Sequence, residues 1–183
     1  MTDVATRYRR VALGFTERVD AMTADRWDRP SPCAGWVARD VVRHLVEWVP
    51  AFFADAGGPR LPALTANLAP ARAWHRLDAA IQVHLDDPVV ATKVVHHPYA
   101  GQHRFDDAVG QFVVGDLLIH TWDLARATGL DETLDTELVH DMLAAIEPLD
   151  AMLRSSGQYG PRKDVPSGSD EQTRLIAFTG RQP

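Results

Sequence analysis

Cysteine is nearly absent from this 183-residue sequence. Cys33 stands alone, so an intramolecular disulfide is excluded and with it the disulfide-stapled class of small secreted domains. Lysine is almost as scarce. Lys93 and Lys163 are the only two among 19 basic residues, no Lys/Arg-rich run interrupts the chain and the net charge is −6, which together argue against a nucleic-acid partner. No apolar run approaches the roughly 18 residues of a membrane-spanning helix, so no membrane partner is expected. The opening residues Met1 to Tyr8 lack the basic-then-apolar pattern of a secretory signal. A cytoplasmic location is therefore the expectation.

What is present is ordinary in proportion. Hydrophobic residues make up 45% and charged residues 24%, close to the averages for globular proteins, so gross disorder is not indicated. The length suits one domain over residues 1–183 with a single sizeable core. No repeat with a period of 20 to 50 residues is visible, which argues against a solenoid.

Hydrophobic periodicity predicts helices. Val4, Tyr8, Val11, Phe15 and Val19 recur every three or four residues, giving a helix over 3–22 with Asp3 as its cap. Two prolines and a glycine then break residues 27–36 into a loop anchored by Trp27 and Trp36. A second helix over 37–53 carries Val41, His44, Leu45, Trp48 and Phe52 on one face, and Pro50 predicts a kink or an early end near Trp48. A Gly, Pro and Ala-rich connector over 54–70 leads to a helix over 71–85 bearing Trp74, Leu77, Ile81 and Leu85.

Residues 89–105 combine β-branched side chains with Pro98, Gly101, His96, His97 and His103, which suits an extended, hairpin-like excursion. A helix from 106 follows and is stopped by Gly129. Leu134, Leu138, Met142 and Ile146 mark another over 133–146, and a Gly, Pro and Ser-rich stretch over 155–169 precedes a short helix over 170–179. The class that results is an all-α bundle with long connections and one short extended excursion around residues 89–105.

The helix before Gly129 carries unusual chemistry. The stripe Val109, Val113, Asp116, His120, Leu124, Ala127 has core-facing spacing, yet a buried carboxylate costs several kcal/mol unless it is paired, hydrogen-bonded or bound to a metal. Asp116 and His120, one turn apart, can share one ion, and His44 supplies a third donor from the neighbouring helix. Two histidines and a carboxylate are the donor set of catalytic zinc or iron sites that keep coordination positions open. Asp-x-x-x-His spacing alone is common by chance, and an inward histidine is often a hydrogen-bonded core residue.

Other residues compete for roles around this set. Asp123 is expected either to accept a hydrogen bond from a ligating histidine or to form a surface pair with Arg126 or Arg39. Glu47 ranks below Asp116 as a substitute ligand, because its face is shared with Arg43 and Asp40. Cys33 lies near the expected site mouth as a small apolar residue rather than a nucleophile. His75, His84 and His140 read as surface residues. No catalytic or cofactor-binding residue is assigned.

Pro30-Ser-Pro-Cys-Ala-Gly-Trp-Val-Ala-Arg-Asp-Val-Val-Arg-His44, Val109 through Gly129, and the ending Arg174-Leu-Ile-Ala-Phe-Thr-Gly-Arg181 together resemble the DinB-like superfamily. The closer resemblance is to its actinobacterial branch, related to the N-terminal domain of mycothiol-dependent maleylpyruvate isomerase, and it spans nearly the whole chain. It implies a four-helix bundle holding a divalent metal through His44, Asp116 and His120; Asp116 stands where the family has His or Glu. Zinc is the first expectation for the ion, with nickel or iron as alternatives. The isomerase has a second domain that finds no counterpart here, so its isomerisation is not carried over.

What the resemblance implies is a metal-dependent transferase or isomerase that uses mycothiol or another low-molecular-weight thiol on a small electrophilic substrate. The other reading is a non-enzymatic module that binds a metal or small ligand, with a structural or decayed site. A monomer and a homodimer are both compatible with it.

Overall fold

The computed structural model describes residues 3–63, 65, 68–155, 157 and 159–183. Helix α1 spans Val4–Asp20 and is opened by Asp3, whose side chain accepts from the Thr6 N–H at 3.0 Å and so satisfies a donor that the first turn leaves free. Helix α2, Ala38–Asp55, is opened by Asp40, which accepts from the Val37 N–H at 2.9 Å. Pro50 does not end this helix. It is buried, and the turns beyond it are held by Phe53, which is fully buried; tertiary packing offsets the hydrogen bond that proline removes.

Helix α3 spans Pro70–Asp86 with proline in its first turn, where the missing N–H costs nothing. The excursion begins later than its composition suggests, because Asp87 caps a short helical turn, α4, over Pro88–Ala91. Strands β1 (Val94–His97) and β2 (Gly101–Arg104) then pair antiparallel with Val94 opposite Arg104 and His97 opposite Gly101. Val95 enters the core, and the His96 N–H donates to the Ala56 carbonyl at 2.9 Å, tying the hairpin to the end of α2.

The long helix before Gly129 is not uniform. A helical turn, α5 (Phe105–Ala108), runs into a π-helical segment over Val109–Val113 and then into α6, Val114–Thr128. The wider turn shifts the residues before it relative to those after it, so a single 3.6-residue stripe does not run from Val109 to Ala127. Within α6, Asp116 and His120 keep their one-turn spacing. Gly129, at φ +68, ends α6 in the left-handed conformation, which glycine adopts without a steric penalty.

Helix α7 (Thr136–Ile146) is capped by Asp135, and a 3₁₀ turn continues it into α8, Asp150–Ser155, which the sequence pattern did not announce. Helix α9, Glu171–Phe178, is capped by Asp170. The described residues are mostly helical, with one two-stranded sheet. Helices α1 and α2 each pack on both α3 and α6, and α9 packs on α7. One apolar core results, centred on Tyr8, Phe15, Leu45, Trp74, Leu77, Phe105 and Leu117.

Candidate metal centre

Three elements converge where α2 crosses α6. Helix α2 presents His44 and, one turn later, Trp48. Helix α6 presents Asp116, His120 and Asp123. The loop before α2 is closed on itself by the Ser31 N–H to the Trp36 carbonyl and the Trp36 N–H to the Cys33 carbonyl, both at 3.0 Å, and this brings Cys33 and Trp36 over the junction.

The donor atoms of His44, Asp116 and His120 all lie within 4.8 Å of one another. Asp116 sits between the rings: one carboxylate oxygen is 3.4 Å from His44 Nε2 and the other is 3.4 Å from His120 Nε2. Those separations exceed the best N–H···O length. They match two ligands of a tetrahedral ion, whose donors at roughly 2.0–2.1 Å from the metal stand about 3.3 Å apart. The aspartate side chain, one methylene shorter than glutamate, reaches both histidines.

The surroundings orient this set. Trp48 Nε1 donates to an Asp116 carboxylate oxygen at 2.9 Å. The Trp36 indole lies 5.1 Å from the His44 ring and 6.0 Å, stacked, from that of His120. On the outer side of His44 a solvent-open cavity of about 390 Å³ is lined by Gly35, Trp36, Asp40, Arg43, His44 and Glu47, so a small molecule can approach this histidine.

A second cluster shares His120. Its Nδ1 lies 2.9 Å from Asp123 Oδ2, and Cys33 Sγ donates to the same oxygen at 3.3 Å. Cys33, His120 and Asp123 could also surround an ion. Asp123, however, already faces a cation: Arg181 donates from Nε to Oδ1 and from Nη2 to Oδ2, both at 2.7 Å. The expected surface pair of Asp123 with Arg126 or Arg39 is not formed, because Asp123 is fully buried, Arg39 pairs with Asp28 and Arg126 with Glu132.

Protonation follows from this crowding. Burial alone would push the Asp116 carboxyl up, but the charge and hydrogen bonding of His120, then of His44, outweigh it and hold Asp116 well below the usual carboxylate range. Burial likewise pulls His120 down, and Asp116, then Asp123 and Cys33, overcome it and raise the ring well above its ordinary value. Burial raises Asp123 too, while His120 and Arg181 bring it below its usual range. Without metal, the two carboxylates favour the protonated form of the His120 ring between them, a place that suits a cation.

The chain is 29% identical over 189 aligned residues to an uncharacterized protein of Mycobacterium tuberculosis, found in strains CDC 1551 / Oshkosh and H37Rv, with 98% of each chain covered. No family model matches. No solved structure matches.

Glu47 stays outside the cluster, held by Arg43 Nε at 2.7 Å on the exposed face of α2. His75 and His140 pair with Asp20 and Glu171 at the surface, and His84 contacts the Arg60 carbonyl. Two contributors escaped the sequence reading. Trp48 shares the face of His44, so its place on that face was legible but its donation to Asp116 was not. Arg181 follows a glycine beyond the last helix, and no periodic signal points to it.

Proposed function

We propose that the protein is a DinB-like, divalent-metal-dependent enzyme acting on a small electrophile with a low-molecular-weight thiol such as mycothiol. His44, Asp116 and His120 would hold the ion, zinc before nickel or iron. The observation that carries this reading is Asp116 standing 3.4 Å from each histidine, a spacing that fits coordination better than hydrogen bonding. A divalent ion there supplies positive charge that lowers the pKa of a thiol and makes it a nucleophile at neutral pH.

The chain's own residues have separate tasks. Asp123 accepts from His120 Nδ1, which directs Nε2 toward Asp116. Trp48 fixes the Asp116 carboxylate, and Trp36 lies against both imidazole rings. The cavity beside His44 lets a small molecule reach that histidine from its outer side.

Metal analysis of protein purified without a histidine tag tests the site, with His44→Ala and His120→Ala as controls. Metal at full stoichiometry in both variants would overturn it. Turnover of a panel of electrophiles with mycothiol, bacillithiol and glutathione then tests the activity. The second reading is a non-enzymatic module in which the ion cross-links two helices. It is favoured by the donors coming from both α2 and α6, and a metal-loaded protein inactive with all three thiols would support it.

A further inference from the structure

We propose that Arg181 is a positioning residue for His120, acting through Asp123, and that Gly180 sets the turn that delivers it. The inference rests on the metal reading only for the identity of the ion used as a probe. Asp123 is fully buried and Arg181 nearly so, with 14% of its side chain exposed. The guanidinium engages both carboxylate oxygens at 2.7 Å, and a two-point fork of this kind fixes the plane of a carboxylate as well as its charge. With that plane fixed, Oδ2 meets His120 Nδ1 at 2.9 Å, and Nε2 is turned toward Asp116 and His44.

Other well-shielded arginines work differently. Arg18 donates to the carbonyls of Gly14, Asp131 and Thr133 and to the neighbouring Glu17, and Arg154 to the carbonyls of Gly160 and Phe178 and to one oxygen of Asp150, a turn earlier on its own helix. Those contacts fasten loops to helices. Arg181 instead directs its fork at a side chain whose next neighbour is a candidate ligand. It also lies 3.5 Å from Cys33 Sγ, so the loop carrying Trp36 meets the same guanidinium.

The approach of Arg181 depends on a tight turn. Gly180 has φ +88, and a Cβ there would lie 3.0 Å from the Gly160 backbone, so a side chain at 180 is opposed by strain and by contact. The Arg181 N–H closes the turn on the Ile176 carbonyl at 3.3 Å.

Three variants test the proposal: Arg181→Met, which keeps bulk without the fork; Arg181→Lys, which keeps the charge; and Gly180→Ala, which keeps the arginine but strains its delivery. The readouts are the His120 Nδ1 proton resonance in metal-free protein labelled with ¹⁵N-histidine, zinc affinity by competition with a chromophoric chelator, and circular dichroism for the fold. Arg181→Met is expected to keep its helical signal, lose the protected Nδ1 resonance and bind zinc about tenfold more weakly. Lysine should fall between methionine and wild type, and Gly180→Ala should move both readouts in the same direction. A folded Arg181→Met with an unchanged resonance and unchanged zinc affinity overturns the proposal, as does a lysine variant identical to wild type. Should Arg181→Met not fold, the other two decide by the same readouts. A wild-type protein that binds no zinc removes the function proposed above, while the His120 resonance still decides this inference.

Discussion

On its Nε2 side His120 faces Asp116 at 3.4 Å, and on its Nδ1 side it faces Asp123 at 2.9 Å. The two aspartates lie seven positions apart on α6, yet their circumstances differ. Asp123 is fully buried and held by a bidentate arginine; Asp116 has 30% of its side chain exposed, with an indole N–H and two imidazoles beside it. A carboxylate already neutralised by a guanidinium serves to orient. One whose partners are imidazole rings can share them with a metal. Burial therefore does not mark the candidate ligand here; the partner does.

The largest expected effect separates the two aspartates by stability. Asp123→Ala leaves Arg181 and His120 facing each other without their shared acceptor, and removing one member of a buried ion pair costs about 3–5 kcal/mol. Asp116→Ala removes a partly exposed group and should cost less metal-free stability than Asp123→Ala, while weakening zinc binding by roughly 100-fold or more, beyond the usual effect of an outer partner. Denaturant titration of metal-free protein and chelator competition measure the two effects. Equal costs for the two variants would dissolve the distinction.

The next effect is in pH. His120 is raised in the folded state, so its contribution to metal-free stability is complete below the unfolded value of about 6.5 and is lost as pH rises through the folded value. Asp116 is depressed, so its contribution is present above about pH 3.9 and disappears only as pH falls through its folded value. Zinc must displace the His120 proton, so zinc affinity should rise about tenfold per pH unit while that proton is present. Thermal melts of metal-free protein should accordingly decline on the alkaline side, where zinc binding strengthens. A zinc affinity flat between pH 6 and pH 8 would place the ion elsewhere.

A smaller effect tests the orientation of Asp116 itself. Trp48→Phe keeps the ring contacts with His44 and Phe52 but removes the Nε1 donor at 2.9 Å. Zinc affinity should fall about tenfold, the lower end for a partner outside the ligand set, with a stability loss of about 1 kcal/mol. No change in affinity would mean that Asp116 is placed by the histidines alone.

Much of this was legible in the sequence because it follows from local periodicity. The helices of Tyr8 and Phe15, of Trp74 and Ile81, and of Leu138 show as apolar spacing, and the convergence of His44, Asp116 and His120 follows from helix faces that share a core. The π segment over 109–113 was not legible, since nothing in Val-Gly-Gln-Phe-Val distinguishes a wider turn from a regular one. The early end that Pro50 suggests does not occur, because proline is read by its local cost, whereas Phe53 supplies a tertiary gain that the local sequence does not display. Asp123 was ambiguous for the same reason: its decisive partner, Arg181, lies 58 residues away. Of the 54–70 connector, positions 64, 66 and 67 lie outside the described residues.

The smallest expected effect concerns Glu47, the carboxylate one turn from His44 that competes with Asp116 by sequence alone. Its side chain is 48% exposed and pairs with Arg43, itself 61% exposed, at i,i+4. Such pairs contribute about 0.3–0.5 kcal/mol because water screens them and two long side chains must be ordered to form them. Glu47→Gln should therefore cost no more than that in denaturant titration and leave zinc affinity within about twofold, well short of the 10–100-fold expected for residues that support a metal site. Glu47 also lines the cavity beside His44, so its substitution is expected to show in the KM for a charged thiol or electrophile before it shows in metal content. If Glu47→Gln instead weakened zinc binding as much as Asp116→Ala, the ion would lie on the outer, cavity side of His44, and the contrast between the two aspartates would describe the wrong carboxylates.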